Sequence, residues 1–302
     1  MYKYDLPFFV IYSEIKFNFE PLCYNQRTYF ENNVTNIYIK RGKLNYQSFD
    51  TTKKKRLSDN FVVLFNDDSV LLNLNKFGIL VLIRGDTVVV DYNFVHEHMV
   101  YNNLIELIMP YFFLKNGFLI LHAASCRYND KTILFSADSG VGKTTLLLSL
   151  LKVGAEYISD DIVCIFKSEN QYHCIGLDFT FPKANAKTIE MLGITKNNII
   201  SASSINTKSY ISIESNFRFF STVDSVVFLD PVNSQNGIRL REIVNPEKRL
   251  LEQTVGIWGL TGFDMIRLLS KWKHFSDVVN VYSMEYKKDS AFLEKVAPYL
   301  QF

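Results

Sequence analysis

The chain has few cysteines and lacks any long apolar segment. Its cysteines include no C-x-x-C pair; they are Cys23, Cys126, Cys164 and Cys174. This pattern excludes a zinc-finger layout and a dense disulfide framework, and a reducing compartment is the simpler interpretation. No apolar run reaches the ~18 residues that indicate a membrane helix, since the best stretch, Leu104–Leu114, is broken by Glu106 and Pro110. We therefore expect a cytoplasmic protein without a membrane span.

The sequence also lacks an excess of charge of one sign. Lys and Arg number 33 against 31 Asp and Glu, a net charge of +2, so extensive nucleic-acid binding is not expected. Hydrophobic residues at 48% and aromatic residues at 15% exclude a disordered chain and supply the core of one large or two modest domains. The sequence has no internal repeat and no low-complexity tract.

Residues 1–98 predict a β-rich N-terminal domain of short strands separated by polar turns. The apolar run Phe8–Ile11 follows Asp5 and has no small-residue cleavage site, which is typical of a first strand and not of a signal peptide. The basic cluster Lys53–Arg56 predicts a solvated loop. Three further strand-like runs are Ile37–Ile39, Phe61–Phe65 and Val88–Val90. No chemistry is evident in this half.

Residues 99–302 predict an α/β domain. A helical pattern over Met99–Leu114 stops at Asn116 and Gly117, a helix-ending pair. Asn245 and Pro246 predict the N-cap and the first residue of a later helix. The remaining predicted elements are strands at Phe118–His122, Thr132–Phe135, Ile162–Phe166 and Ser225–Leu229, and a helix at Thr144–Lys152.

The segment Ala137–Thr144, here called the phosphate loop, matches the pattern [AG]-x-x-x-x-G-K-[ST], with a strand before it and an apolar helix after it. Gly140 and Gly142 let backbone N–H groups turn inward around phosphate oxygens, and the helix N-terminus favours the same anion. Lys143 would neutralise the phosphates, and the Thr144 hydroxyl would ligate Mg²⁺. The alternative, an ordinary glycine turn before a core helix, leaves a lysine unexplained where the helix dipole disfavours a cation.

Two acidic residues and a histidine are further candidates. Asp160 and Asp161 directly precede a β-branched run, where adjacent carboxylates are costly unless a cation or donor holds them. One could ligate Mg²⁺ while the other accepts a proton, and a solvated turn is the alternative. His122 ends the strand before the phosphate loop, and a satisfied core or rim histidine is its alternative. His96–His98 has no evident third ligand for a metal.

These features together resemble the catalytic domain of HPr kinase/phosphorylase. The resemblance is carried by Leu121–Ser125, the phosphate loop, Gly154 and Ser159–Asp161; His122 lies 15 residues before Ala137, and Asp160 lies 17 after Lys143. The same features are more similar to those of the HPr-kinase-related proteins encoded in modified-peptide gene clusters, including lasso-peptide clusters. The resemblance implies a P-loop, HPr-kinase-like catalytic core over residues 99–302.

The sequence departs from HPr kinase itself at two places. Thr144 and Thr145 stand where that family has Ser-Glu, and the pair is similar to ATP-dependent phosphoenolpyruvate carboxykinase. The glycine-rich stretch that carries a glutamate in HPr kinases is not visible. The resemblance therefore extends neither to HPr as the substrate nor to the reverse phosphorylase reaction.

The resemblance assigns roles residue by residue and implies ATP and Mg²⁺. Asp160 resembles the general base that takes the proton of an acceptor serine, and His122 the active-site histidine beside it. Thr144 and Asp161 would hold Mg²⁺. The phosphates would be held by Ser139, Gly140, Val141, Gly142, Lys143, Thr144 and Thr145. Arg239, Arg241, Lys248 and Arg249 are candidates for a cation that reaches the phosphoryl group, and an exposed surface explains them equally well.

The function expected from this resemblance is a serine kinase acting on a peptide or small protein, for example a ribosomal precursor peptide. The alternatives are a nucleotide-bound module that binds a peptide with little catalysis, and a small-molecule kinase. The sequence leaves a homo-oligomer open.

Overall fold

The structure is a computed structural model, and it divides the chain into two compact units. The first comprises Met1–Phe112 with Gly256–Leu260, and the second Phe113–Val255 with Thr261–Phe302. The boundary predicted between residues 98 and 99 lies outside the described residues and stays a prediction. The described residues are 1–6, 8–15, 35–45, 54–58, 61–65, 69–74, 78–92, 107–177, 182–202, 208–212, 217–218, 220–232, 237–287 and 296–300.

The first unit contains an eight-stranded sheet in the order β1-β2-β3-β8-β7-β6-β5-β4. Its strands are β1 (Tyr2–Leu6), β2 (Phe9–Ser13), β3 (Thr35–Arg41), β4 (Lys54–Ser58), β5 (Phe61–Phe65), β6 (Ser69–Leu74), β7 (Ile79–Arg84) and β8 (Thr87–Asp91). β3 pairs in parallel with β2 and with β8, and the other pairs are antiparallel. Along β7, Ile79, Val81 and Ile83 are buried between half-buried leucines, the alternation of a strand with one face on a core.

The prediction of a solvated loop at Lys53–Arg56 is wrong for the part that the structure describes. Residues 54–56 belong to β4, which pairs with β5 at the edge of the sheet. Lysine-rich sequences are common on edge strands because their charge prevents pairing with another chain. Hydrophilic composition therefore does not distinguish an edge strand from a loop. His96–His98 lies outside the described residues.

The second unit is a mixture of strands and helices. Helix α1 (107–115) contains the boundary between the two units, which falls after Phe112. The helices that lie wholly in the second unit are α2 (Lys143–Lys152), α3 (Ala186–Met191), α4 (Glu247–Glu252) and α5 (Gly262–Ser276). Its strands are β9 (Leu119–Tyr128), β10 (Lys131–Ser136), β11 (Glu156–Ser159), β12 (Ile162–Ser168), β13 (Gln171–Gly176), β14 (Lys183–Asn185), β15 (Ile199–Ala202), β16 (Lys208–Ile211), β17 (Phe220–Thr222), β18 (Ser225–Pro231), β19 (Arg239–Glu242) and β20 (Asn280–Tyr286).

These strands form two sheets. The larger has the order β17-β13-β12-β9-β10-β18-β20-β19, with β11 also on β9; the smaller is β14-β16-β15. β10, β18 and β20 run parallel, and the remaining pairs in the larger sheet are antiparallel. The fold of this unit is thus mixed α/β, as the sequence predicts.

Helix α2 covers the centre of the larger sheet with its leucines. Leu146, Leu147 and Leu150 join a core that includes Phe135 of β10 and Tyr157 of β11. Leu148, on another side of the helix, packs with residues of the small sheet instead. The helix that follows the phosphate loop is therefore held by packing on two sides, which fixes the position of its N-terminus.

The helix predicted after Asn245 begins at Glu247 with Pro246 at the N-cap; Asn245 has φ +56°, a left-handed conformation that asparagine tolerates, and does not cap the helix as predicted. The described cysteines, Cys126, Cys164 and Cys174, are free and buried. Within the described residues, no helix has the length and apolar content that crossing a membrane requires.

Candidate active site

Strand β9 places the candidate residues at one level of the larger sheet. On one side, its Ala123 pairs with Ser136, the last residue of β10 before the phosphate loop. On its other side, β9 pairs first with β12, from His122 back to Leu119, and then with β11. The chain leaves β11 and enters β12 at Asp160 and Asp161, beside Ala123. The loop and the acidic pair therefore flank the same point of β9.

The two central glycines of the phosphate loop have positive φ angles. Gly140 has φ +81° and Gly142 has φ +127°, conformations that side chains disfavour and that turn peptide N–H groups into a concave loop. Ser139 and Gly140 are exposed, Val141 and Gly142 are half-buried, and no neighbour lies within 4 Å of the position of a Cβ on Gly140. The loop thus opens to solvent at the N-terminus of α2, as binding of an anion requires.

Lys143, the first residue of α2, folds back over the loop. Its Nζ donates to the carbonyl oxygens of Ala137 at 2.6 Å and Asp138 at 3.4 Å, and the side chain is buried. Burial lowers the pKa of Lys143, while the negative charges of Asp161, Asp160 and Asp138 act in the opposite direction. The ammonium group therefore lies within electrostatic reach of both members of the acidic pair.

Asp160 is the more enclosed member of the acidic pair. The residue is 8% exposed, and its Oδ2 accepts the backbone N–H of Lys183 at 3.1 Å. Lys183 begins β14, so this hydrogen bond joins the acidic turn to the small sheet. Asp160 is thus a buried carboxylate whose negative charge acts on Lys143.

His122 contacts the other member of the pair. Its Nδ1 lies 3.0 Å from the backbone oxygen of Asp161 and 3.1 Å from Oδ1 of the same residue. Both partners can only accept, so Nδ1 carries the proton and Nε2 remains for a further contact. Partial burial raises the pKa of Asp161, but the hydrogen bond from His122 and the positive charges of His122, Lys183 and Lys143 outweigh it and hold that pKa below its ordinary value.

A close backbone approach positions the acidic turn. Gly176, at the end of β13, lies so near β11 that a Cβ on it would stand 2.3 Å from the carbonyl oxygen of Ile158 and 3.2 Å from Cβ of Ser159. The Ser159 hydroxyl donates across the turn to the Ile162 carbonyl at 2.8 Å. Only glycine allows β13 to pack here, two residues from Asp160. The sequence gives no local signal for this contact.

The two threonines after Lys143 differ in their surroundings. Thr144 is half-buried. The hydroxyl of Thr145 lies 2.9 Å from that of Thr188 on α3, so its side chain joins α2 to α3. A contact of Thr145 with a nucleotide would therefore come most directly from its backbone N–H.

Lys208, on β16, adds a second positive charge near Lys143, and this charge lowers the pKa of Lys143.

Other side chains that hold the phosphate loop come from distant parts of the sequence. The Tyr286 hydroxyl donates to the Val141 carbonyl at 3.0 Å, and burial together with the charge of Asp230 raises the pKa of Tyr286 to about 12. Gln253 donates through Nε2 to Oδ1 of Asp138 at 2.9 Å. Both follow the loop by more than a hundred residues, and no motif marks either of them.

Three of the four candidate cations outside the loop are paired with carboxylates. Arg249 donates to Asp230 at 2.9 Å through Nη1 and to the second oxygen of the same carboxylate through Nη2, and its guanidinium lies 4.2 Å from the centre of the Phe228 ring. The other two pairs are Arg241–Glu285 at 3.6 Å and Lys248–Glu252 at 3.9 Å. Arg239 is exposed on the edge strand β19.

The donors near the loop fit a magnesium ion that arrives with a nucleotide. Magnesium keeps several waters and uses one or two carboxylates together with substrate phosphates, and the half-exposed carboxylate of Asp161 and the hydroxyl of Thr144 are donors of this kind. Within the described residues there is no group of three or more His, Cys, Asp or Glu that could hold a metal. The residues present therefore suit a metal held partly by phosphate oxygens.

Comparison with known proteins finds similarity among solved structures, and it is distant. No family model matches the chain, and no curated protein matches it. Among solved structures, the chain is similar to the Hpr(Ser) kinase/phosphatase from Coxiella burnetii, with 13% sequence identity and a TM-score of 0.32 over 60% of this chain and 93% of that one.

Proposed function

We propose that the chain is an ATP- and Mg²⁺-dependent kinase that transfers the γ-phosphoryl group to a serine hydroxyl of a peptide or small protein. The observation that carries the proposal is the meeting, on either side of β9, of the open phosphate loop with its lysine and the pair Asp160 and Asp161. A phosphate loop alone indicates nucleotide binding. The buried carboxylate beside it adds a group that can take a proton, which phosphoryl transfer to a hydroxyl requires.

In the proposed reaction, the loop N–H groups and Lys143 bind the β- and γ-phosphates. Lys143 exchanges its two carbonyl hydrogen bonds for phosphate oxygens, which are stronger acceptors. Thr144 and Asp161 would hold Mg²⁺, and the metal supplies neutralisation of phosphate charge. His122, whose Nδ1–H donates to Asp161, would in its doubly protonated form donate the Nε2–H to an oxygen of the transferred group.

Asp160 is the proposed general base. Its hydrogen bond to the Lys183 N–H fixes one carboxylate oxygen, and the ionised group can accept the proton of the acceptor hydroxyl. The acceptor oxygen then forms a bond to the γ-phosphorus, the bond from that phosphorus to the β–γ bridging oxygen breaks, and ADP leaves. A precursor peptide of the kind found in lasso-peptide clusters is the acceptor class we propose to test first.

The direct test is transfer of labelled γ-phosphate to candidate peptides. We expect Mg²⁺-dependent label on an acceptor serine, together with stoichiometric ADP. Tight ATP binding without turnover, unchanged by replacing Asp160, would support a nucleotide-bound peptide-binding module instead. Competition by a free amino acid or metabolite, and not by a peptide, would support a small-molecule kinase.

A further inference from the structure

Gln253 links the two halves of the candidate active site through its side chain and its backbone. Its Nε2 donates to Oδ1 of Asp138 in the phosphate loop at 2.9 Å. Its own carbonyl oxygen accepts the backbone N–H of His122 at 2.9 Å. Gln253, which directly follows α4, thus contacts both the phosphate loop and the part of β9 that carries His122.

The backbone on which Gln253 stands is itself anchored. Thr254 forms a β-bridge with Leu121, and the Val255 N–H donates to the Ile120 carbonyl at 3.2 Å. The Thr254 hydroxyl is buried, donates to the Leu250 carbonyl and accepts the indole N–H of Trp272, both at 2.9 Å. The backbone that carries the Gln253 carboxamide is therefore fixed relative to β9 and α5.

The contact at Asp138 matters because this residue also forms part of the lysine site. The Asp138 and Ala137 carbonyl oxygens accept from Lys143, and the Val141 N–H reaches the Asp138 carbonyl at 3.4 Å. Holding the Asp138 side chain therefore restricts the peptide that orients both the lysine and the turn. A loop that is already in its binding conformation binds its ligand without the entropic cost of ordering.

We propose that Gln253 is a positioning residue that holds the phosphate loop, through Asp138, in the conformation that binds the nucleotide phosphates. The proposal rests on the proposed function. It assigns to Gln253 an effect on nucleotide affinity and not on the chemical step, since its side chain contacts the loop and neither Asp160 nor the reacting atoms.

The test is a double-mutant cycle with Gln253→Glu and Asp138→Asn on the full chain. Gln253→Glu places two carboxylates against each other, and we expect the Kd of MgATP, measured by calorimetry, to rise about tenfold. Asp138→Asn retains an oxygen acceptor for Nε2 of Gln253 but removes a negative charge that acts on Lys143, so the Kd of this single variant serves as the reference for the double variant. In the double variant the amide introduced in the loop can donate to the carboxylate introduced opposite it, so affinity should return to within about threefold of Asp138→Asn alone.

The kinetics separate positioning from a general structural role. We expect Gln253→Glu to raise the KM for ATP by the same factor as the Kd, with kcat changed by less than about twofold, and with an unaltered urea midpoint of unfolding. Equal weakening in the single and double variants, or a Gln253→Glu protein with normal ATP affinity, would overturn the proposal. Failure of the unmutated protein to bind MgATP would instead overturn the proposed function.

Discussion

Replacing Asp160 by asparagine tests the proposed chemistry with little change in shape. The side chains have nearly the same volume, and the asparagine oxygen can keep the hydrogen bond from the Lys183 N–H. The substitution removes a negative charge from a site that is 8% exposed, and an amide needs no counter-charge there. We therefore expect the variant to fold.

The expected loss lies in the rate. A positioned base contributes ~10²–10⁴-fold, which corresponds to about 3 to 5 kcal/mol of barrier at 1.36 kcal/mol for each factor of ten. Asp160 is one of three carboxylates whose charges act on Lys143, and Asp161 and Asp138 remain. Since the phosphate loop itself is untouched, ATP binding should be nearly unchanged.

The assay compares initial rates of ADP release at saturating MgATP and acceptor, with nucleotide affinity measured separately by calorimetry. Asp130→Asn is a matched control: it makes the same chemical change at an exposed residue with φ +62° in the turn between β9 and β10. We expect the control to retain full activity.

The result that refutes the reasoning is a variant with intact ATP binding and more than about a tenth of the normal rate, because a base worth a hundredfold could not then be missing. Loss of ATP binding together with rate would show that Asp160 serves the nucleotide site and not the acceptor hydroxyl. Either result removes the role of general base from this residue.

Three further predictions concern Lys143, Asp161 and Gly176. Lys143→Met should weaken MgATP binding at least tenfold, since hydrogen bonds to charged groups contribute ~1.5–3 kcal/mol; calorimetry measures this affinity, and an unchanged value would contradict the prediction. The same substitution should lower the free energy of unfolding, measured in urea, by less than about 1 kcal/mol, because it replaces a buried cation by an apolar side chain. Because the folded-state pKa of Asp161 is lowered, its ionised form stabilises the protein above pH ~4 and that contribution is lost as the pH falls through the lowered pKa. At pH 7 the free energy of unfolding of Asp161→Asn should therefore be lower than that of the unmutated protein by up to about 1 kcal/mol, because a half-exposed ion pair contributes little. The two free energies should converge near pH 2, and a difference that does not change with pH would refute this. Gly176→Ala should lower the free energy of unfolding in urea by about 1–3 kcal/mol, because the added Cβ would overpack against the Ile158 carbonyl. A variant more stable than the unmutated protein would show that β13 and β11 can move apart without cost.

The structure agrees with the sequence where the pattern is local. The strand at Thr132–Phe135, the loop and the helix from Thr144 follow one another within about twenty residues, and the structure has β10, the phosphate loop and α2 there. The phosphate loop needs φ above zero at particular glycines, and a sequence can state that requirement directly. The roles of Asp160, His122 and Thr144 stay predictions.

Two predictions were wrong because the residues concerned suit more than one conformation. The positive charge of Lys53–Arg56 indicates exposure to solvent but does not indicate whether the backbone pairs with another strand. The sequence therefore could not distinguish the edge strand β4 from a loop. Asn245 is a good N-cap and also a good left-handed residue, and the structure uses the second property. In both cases one residue type satisfies two conformations, and neighbours elsewhere in the chain decide between them.

The amino-acid sequence by itself determined the order of strand, glycine turn and helix around Ala137–Thr144, and the intervals that separate this segment from the acidic pair and the histidine. Only the tertiary structure decided that these groups lie at one level of β9 and that Gly176 contacts the backbone beside the acidic turn. The hydrogen bonds from Gln253 and Tyr286 to the loop were likewise decided by the tertiary structure alone. The physical reason is the range of the interactions. Backbone conformation at a glycine depends on nearest neighbours, whereas strand register and side-chain contacts depend on which distant segments the whole core brings together.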